Sequence, residues 1–205
     1  MQHSCIYWIE KKYVLRVKTV TNTKRKVFLG DCSIFLEGSQ PKYGQKLANN
    51  ITAKPARKTK EALGSTQLSQ GLVFVSTLPN IRSFACSQQV LDLEVESKKK
   101  FPKSKIFHIA SDPKSGWKEV DLLHPFLSSP GFTLCGLSKD EKERFKSSFG
   151  VGVENENRIA HGLFALLDGK FIASYIPRQQ YGVPNIKLFL NKVEKNLKLN
   201  ASSKV

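Results

Sequence analysis

The sequence predicts an α/β fold in which strands alternate with helices and a hairpin and a last helix close the chain. Three observations carry this. The run Gly71-Leu72-Val73-Phe74-Val75-Ser76 has the length and composition of a strand buried on both faces. Segments of helical periodicity lie between such runs, as in Asp140–Phe149, which Gly150 ends. The turn dipeptides Gly30-Asp31 and Asp168-Gly169 each separate two short β-prone runs.

Taken in order, residues 1–26 are basic, include Lys24-Arg25-Lys26, and read as an extension ahead of the domain. Val27–Leu29 and Ser33–Leu36 flank Gly30-Asp31 as a hairpin. Residues 38–66 are rich in Gly, Pro and Lys with little periodicity, which predicts a long surface loop. Leu72–Ser76 is the central strand. From Cys86 to Ser97, a helix would place Cys86, Val90, Leu93 and Ser97 on one face, while the alternation of Leu91, Leu93 and Val95 fits a strand. Ile106–Ala110 reads as a strand, Trp117–Leu123 as a short helix, and Phe132-Thr133-Leu134 as a strand. Asp140–Phe149 is an amphipathic helix, and Leu163–Leu167 with Phe171–Tyr175 is a second hairpin. Pro184–Leu197 is the last helix, with proline at its start and Ile186, Phe189, Leu190 and Val193 inside. The domain then spans 27–197, followed by a C-terminal tail at 198–205.

A chain of 205 residues, 40% hydrophobic with 13 Phe, can bury one core without staples. The formal net charge of +16 permits attraction to nucleic acid or to anionic surfaces. The sequence lacks the aromatic interleaving that stacking on single strands would use: only Phe101 and Phe107 lie near Lys98-Lys99-Lys100, Lys103 and Lys105. That lysine run reads most simply as a solvated helix end. No apolar run of about 18 residues exists, so no membrane-spanning helix is expected, and Met1–Tyr13 lack the layout of a secretory signal. Four unclustered cysteines fit a reducing, cytoplasmic setting with a reactive thiol. His3, His108, His124 and His161 do not fall at zinc-ligand spacings with them, so no metal or other cofactor is expected.

The chemistry concentrates in Pro79-Asn80-Ile81-Arg82-Ser83-Phe84-Ala85-Cys86. Cys86 would open a helix directly after the central strand. There the helix dipole favours the thiolate and predicts a lowered pKa. Ser83, three residues earlier, can hydrogen-bond the thiolate or an oxygen presented to it, and Pro79 can close a pocket without adding a competing N–H. Cys32 alternates with Ile34 and Leu36 and reads as sheet packing, and Cys5 lies in the extension.

The spacing Pro79/Ser83/Cys86 resembles the Pro-x-x-x-Thr/Ser-x-x-Cys motif of the peroxiredoxins, and the chain is similar to their thiol peroxidase branch, the atypical two-cysteine enzymes. Val27–Gly38 resembles that branch's N-terminal β-hairpin. Pro41-Lys42-Tyr43-Gly44-Gln45-Lys46-Leu47-Ala48 resembles its P-x-x-G-x-x-A-P loop. Ile109-Ala110-Ser111-Asp112 falls at its S-x-D strand end, and Arg158–Lys170 resembles the strand leading into D-x-x-G. The resemblance covers roughly residues 27–197. It implies a thioredoxin-like fold, which agrees with the element order and settles Cys86–Ser97 as a helix.

Two departures accompany it. The resemblance implies a resolving cysteine on the helix after the next strand, but Trp117–Leu123 contain none, and the nearest downstream cysteine is Cys135. Placed on a core strand, Cys135 would reach Cys86 only after local unfolding. The resemblance also implies an arginine beside the peroxidatic cysteine, at the position where this chain has His161. Arg158, three residues earlier, would face the opposite side of a strand. Arg82 is a second local cation, and Phe84 stands where a small residue or proline is usual.

Two functions are therefore expected. One is a thiol-dependent peroxidase whose Cys86 forms a sulfenic acid in a one-cysteine cycle, reduced by an external thiol, with a homodimer as one assembly. The other is a degenerate redox-sensing or binding module whose basic surface takes an acidic partner.

Overall fold

The computed structural model describes residues 24–202. A small three-stranded sheet contains β1 (Arg25–Leu29), β2 (Cys32–Glu37) and β8 (Gly152–Val153) in the order β1-β2-β8. The main sheet contains β3 (Thr52–Arg57), β4 (Leu63–Gly64), β5 (Leu72–Leu78), β6 (Lys105–Ala110), β7 (Gly131–Thr133), β9 (Gly162–Leu167) and β10 (Lys170–Tyr175). Its order is β10-β9-β5-β6-β7-β3-β4. The central pairs β5–β6 and β6–β7 are parallel, and the flanking pairs are antiparallel. The helices are α1 (Ser65–Leu68), α2 (Phe84–Lys100), α3 (Trp117–Leu123), α4 (Lys139–Phe149) and α5 (Ile186–Ser202). This is the α/β, thioredoxin-like architecture expected, with the N-terminal hairpin and with Cys86 in the first turn of the helix after the central strand.

Alternation along β5 builds two cores. Val73 and Val75 face one side, with Phe145 and Phe149 of α4 and Val27 and Leu36 of the hairpin. Phe74 faces the other, with Leu93 of α2 and Ile186, Phe189 and Val193 of α5. A third cluster at the C-terminal end of β5 and β6 joins Leu78, Ile81, Cys86, Val90, Ala110 and Trp117.

The caps follow the sequence. Ser138 and Glu141 form a capping box at the start of α4. Gly150 ends that helix at φ +63°, and a Cβ there would collide with the Ser39 carbonyl oxygen. Lys98, Lys99 and Lys100 are the exposed last turn of α2, paired with Glu94, Glu96 and Glu194.

Four expectations need correction. The 38–66 segment is not wholly loop: it contains β3 and β4, with Ala53 and Ala56 buried. Thr-Ala-Lys-Pro-Ala-Arg has poor strand propensity, and its pairing with β7 imposes the conformation. Pro55 pairs with Phe132 beside a register irregularity that falls before Arg57, the kind of place where a strand tolerates proline. The last helix starts at Ile186, with the Asn185 side chain accepting the Leu188 N–H at 2.9 Å. Pro184 therefore precedes the cap, and the helix runs five residues past Leu197, into the segment read as a tail. Cys32 does not pack in the core. It is exposed beside the hairpin turn, and burial along β2 is complete only at Leu36. Cys135 is likewise exposed, one residue beyond Leu134, and so is not on a core strand. Cys5 and most of the 1–26 extension lie outside the described residues.

A buried polar layer runs beneath α2. The Arg57 guanidinium bonds Asp121 and the carbonyls of Leu127 and Ser129, each at 2.8 Å. Burial opposes charge on Glu94, yet bonds from Lys98, Ser128 and Ser129 outweigh it and hold its carboxyl at about 2. His108 is fully buried, which pushes its imidazole down to about 3.

Two outcomes are expected. Phe149→Ala empties a site ringed by Phe145, Phe164 and Phe171 and should cost about 3–5 kcal/mol in urea unfolding. His108 and Glu94 both titrate lower when folded than their ordinary 6.5 and 4.5, so the unfolded chain binds more protons on acidification. Their contribution is complete above about pH 6.5 and is lost as pH falls toward 2. The urea midpoint should therefore be lower at pH 4 than at pH 7.

Candidate active site around Cys86

Cys86 is the third residue of α2. Ser83 is the N-cap, extended at φ −78° and ψ 146°, and its hydroxyl accepts the Cys86 N–H at 3.3 Å. The turn places the Cys86 side chain inward against Leu78, Ile81 and Val90, with none of the residue exposed.

Facing the sulfur is His161. Its Nε2 lies 3.8 Å from the Cys86 Sγ, and its Nδ1 lies 2.7 Å from Gln89 Oε1. The Gln89 Nε2 donates to the Ser76 hydroxyl at 2.9 Å, with longer contacts to the carbonyls of Thr77 and Gly162. Carbonyls only accept, so the amide nitrogen faces them and Oε1 faces the imidazole. Nδ1 must then carry the proton, and the Nε2 lone pair points at the thiol. The His161 N–H donates to Gln180 Oε1 at 2.7 Å, fixing the backbone as well. Pairing of Thr77 with Gly162 sets this register.

The electrostatics run against the helix dipole. Burial pushes the Cys86 thiol up to about 11, Asp112 adds to that, and the Ser83 hydroxyl and Asn80 backbone only partly offset it. The helix dipole contributes roughly 0.3–1 kcal/mol. Raising a thiol from its ordinary value of 9.0 to about 11 takes about 2.7 kcal/mol, so desolvation wins. His161 is not the cation partner, because burial pushes its imidazole down to about 4. The arginines do not replace it. Arg82 is exposed, with its Nε 3.9 Å from Glu119, and Arg158 is exposed, with its Nε 3.6 Å from Glu156. Arg158 precedes β9, so strand alternation does not govern it.

Pro79 is half-buried at the end of β5. With Leu29, Ile34, Ile159 and Ala160 it lines a cavity of about 60 Å³. Gln180, which holds the His161 backbone, lines the same cavity; Cys86 does not. The three described cysteines are all free, and α3 contains none. Among the described residues no cluster of three or more His, Cys, Asp or Glu could hold a metal, and no helix is long and apolar enough to cross a membrane.

Sequence reasoning missed Gln89. Its signal was present: an amide three residues after Cys86, on the face of α2 that buries Val90 and Leu93. A glutamine in such a place needs internal partners.

No protein-family model matches the sequence, and no curated protein matches it significantly. Solved structures do. A peroxiredoxin-like protein from Aquifex aeolicus superposes with a TM-score of 0.65 at 16% identity, over 84% of this chain and 97% of that one. A thiol peroxidase from Chromobacterium violaceum gives 0.66 at 13% identity, over 83% and 96%. Enterococcus faecalis AhpC gives 0.65 at 14% identity, over 79% and 96%. The strand order, the hairpin and the position of Cys86 at the head of α2 thus go with a known architecture: this chain has the peroxiredoxin-type, thioredoxin-like fold.

Proposed function

We propose that the chain is a thiol-dependent peroxidase that reduces hydrogen peroxide or alkyl hydroperoxides through Cys86. The observation that carries this is the 3.8 Å contact between the Cys86 sulfur and an imidazole nitrogen at the head of α2. It places a nucleophile against a proton acceptor, and that acceptor against a third group, the arrangement by which weak nucleophiles are activated. Ser83 caps the same turn and Pro79 flanks it. The product on the protein is a sulfenic acid.

The cycle uses one cysteine. Among the described residues Cys135 is exposed outside the site and α3 supplies no thiol, and the reductant is then an external thiol, in keeping with a reducing cytoplasm. Cys86 has no exposed surface, so substrate reaches it when the first turn of α2 opens.

The same burial favours a second reading, a redox-sensing or binding module with little turnover whose basic surface takes an acidic partner. The two differ in turnover with peroxide and an excess of small thiol.

A peroxide pulse should oxidise Cys86 ahead of Cys5, Cys32 and Cys135 by mass-spectrometric mapping, and Cys86→Ser should abolish peroxide consumption. Stoichiometric Cys86–Cys135 disulfide would overturn the one-cysteine cycle. In a variant with Cys5, Cys32 and Cys135 changed to Ser, ultraviolet thiolate absorbance should show no ionised Cys86 at pH 7–8 in the folded protein. Unfolding in urea should bring the midpoint back to near the ordinary thiol value of 9.0. Full ionisation at pH 6 would mean that a cation has taken up the role.

A further inference from the structure

We propose that Gln89 is a positioning residue that makes His161 the base of the Cys86 reaction, in place of a cation that would hold a thiolate in advance. This rests on the peroxidase reading and specifies its proton path. The geometry is one chain of contacts: Sγ to Nε2 at 3.8 Å, Nδ1–H to Oε1 at 2.7 Å, and the amide nitrogen to Ser76 Oγ at 2.9 Å. Gln89 is wholly buried and His161 nearly so, so neither ring nor amide can exchange its partners for bulk water. The amide admits one tautomer only, with a lone pair toward the thiol.

The step balances on these groups. The sulfur attacks the terminal oxygen of the hydroperoxide as its proton passes to Nε2. The S–O bond forms, the O–O bond breaks, and the sulfur is oxidised by two electrons while the peroxide is reduced. The departing alkoxide or hydroxide takes the proton from the imidazolium and leaves as alcohol or water. The transferred oxygen keeps its hydrogen, giving Cys86 sulfenic acid and a neutral His161 once more. No separated charge persists in the dry site before or after the step. This suits a pocket where a standing thiolate is disfavoured.

Charged groups around the pair do not compete for the role. Asp112, after β6, acts on the thiol but donates no proton to it: one of its carboxylate oxygens accepts the Ile81 N–H at 2.8 Å. Arg82 and Arg158 are turned to Glu119 and Glu156, and His108 on β6 is a neutral imidazole. Arg178, in the segment that bonds the His161 backbone, is exposed and lies over the Phe28 ring.

The test is the pH profile of Cys86 oxidation by hydrogen peroxide, followed in single turnover by mass spectrometry, with urea midpoints as folding controls. A base-assisted reaction of the neutral thiol should run at a nearly constant rate from about pH 5 to 9. A simple thiolate reaction would climb about tenfold per pH unit in that range. His161→Phe should lose the plateau and show the climb. Gln89→Leu should lower the plateau at least about tenfold. Gln89→Glu keeps the acceptor and adds charge beside Nδ1–H, so it should bring thiolate absorbance about 1–3 pH units lower and quicken oxidation at pH 7. A wild-type rate that climbs throughout, with Gln89→Leu unchanged, would overturn the assignment. Should thiolate absorbance shift in Gln89→Glu while no variant consumes peroxide, the pairing stands and the peroxidase reading falls. Peroxide consumption with all profiles untouched by Gln89 changes would do the reverse.

Discussion

The burial of the Cys86 side chain beneath the first turn of α2 governs what this protein can do. Cys86, His161 and Gln89 meet where little or none of each is exposed, and a charge there lacks the solvation that an open cleft would give it. The result is a neutral pair, a thiol pushed up to about 11 and an imidazole pushed down to about 4. At pH 7 this leaves about one thiol in 10⁴ ionised. Substrate enters when that turn opens, and the reaction then proceeds through the neutral thiol with its proton moving during the step.

The rest of the fold maintains that dryness. β5 ends beneath the turn, β9 pairs with it in a register that brings Gly162 opposite Thr77, and His161 immediately precedes that strand. The Thr77 hydroxyl donates to the Ala160 carbonyl at 2.8 Å and ties the approach to β9 down. Gln180 secures the same residues from the segment after β10. Trp117 and Val120 of α3 seal the cluster from the other side. Each contact is ordinary packing, and together they set the dielectric environment in which the cysteine works.

Charge on the surface and charge in the site are decoupled. The chain carries a formal net charge of +16, and the described lysines at the end of α2 are spent on Glu94, Glu96 and Glu194. The nearby arginines also find carboxylates at the surface. The exposed pairs among these, Lys99–Glu96, Arg82–Glu119 and Arg158–Glu156, contribute little to stability, and neither of these described arginines is directed at the sulfur. The buried charge that does matter, Glu94, is fully committed to Lys98, Ser128 and Ser129.

Local pattern was enough for the skeleton. The apolar run at β5, the periodicity of α4 with Ser138 and Gly150 at its ends, and the two hairpin turns depend on residues a few positions apart, so sequence alone determined them. The placement of Cys86 at the head of a helix was not determined in this way: local pattern left Cys86–Ser97 open between helix and strand, the resemblance chose the helix, and the cap by Ser83 is visible only in the folded turn. β3 escaped because its strand state comes from pairing with β7 and not from its own residues. The exposure of Cys32 and Cys135 escaped because it depends on where each strand stops. Ionisation was decided only in three dimensions. The helix dipole is a local effect and argued for a thiolate, but desolvation comes from partners 75 and 72 residues apart in the chain. That larger energy outweighs the dipole and leaves His161, a possible cation by sequence, a neutral acceptor held by Gln89.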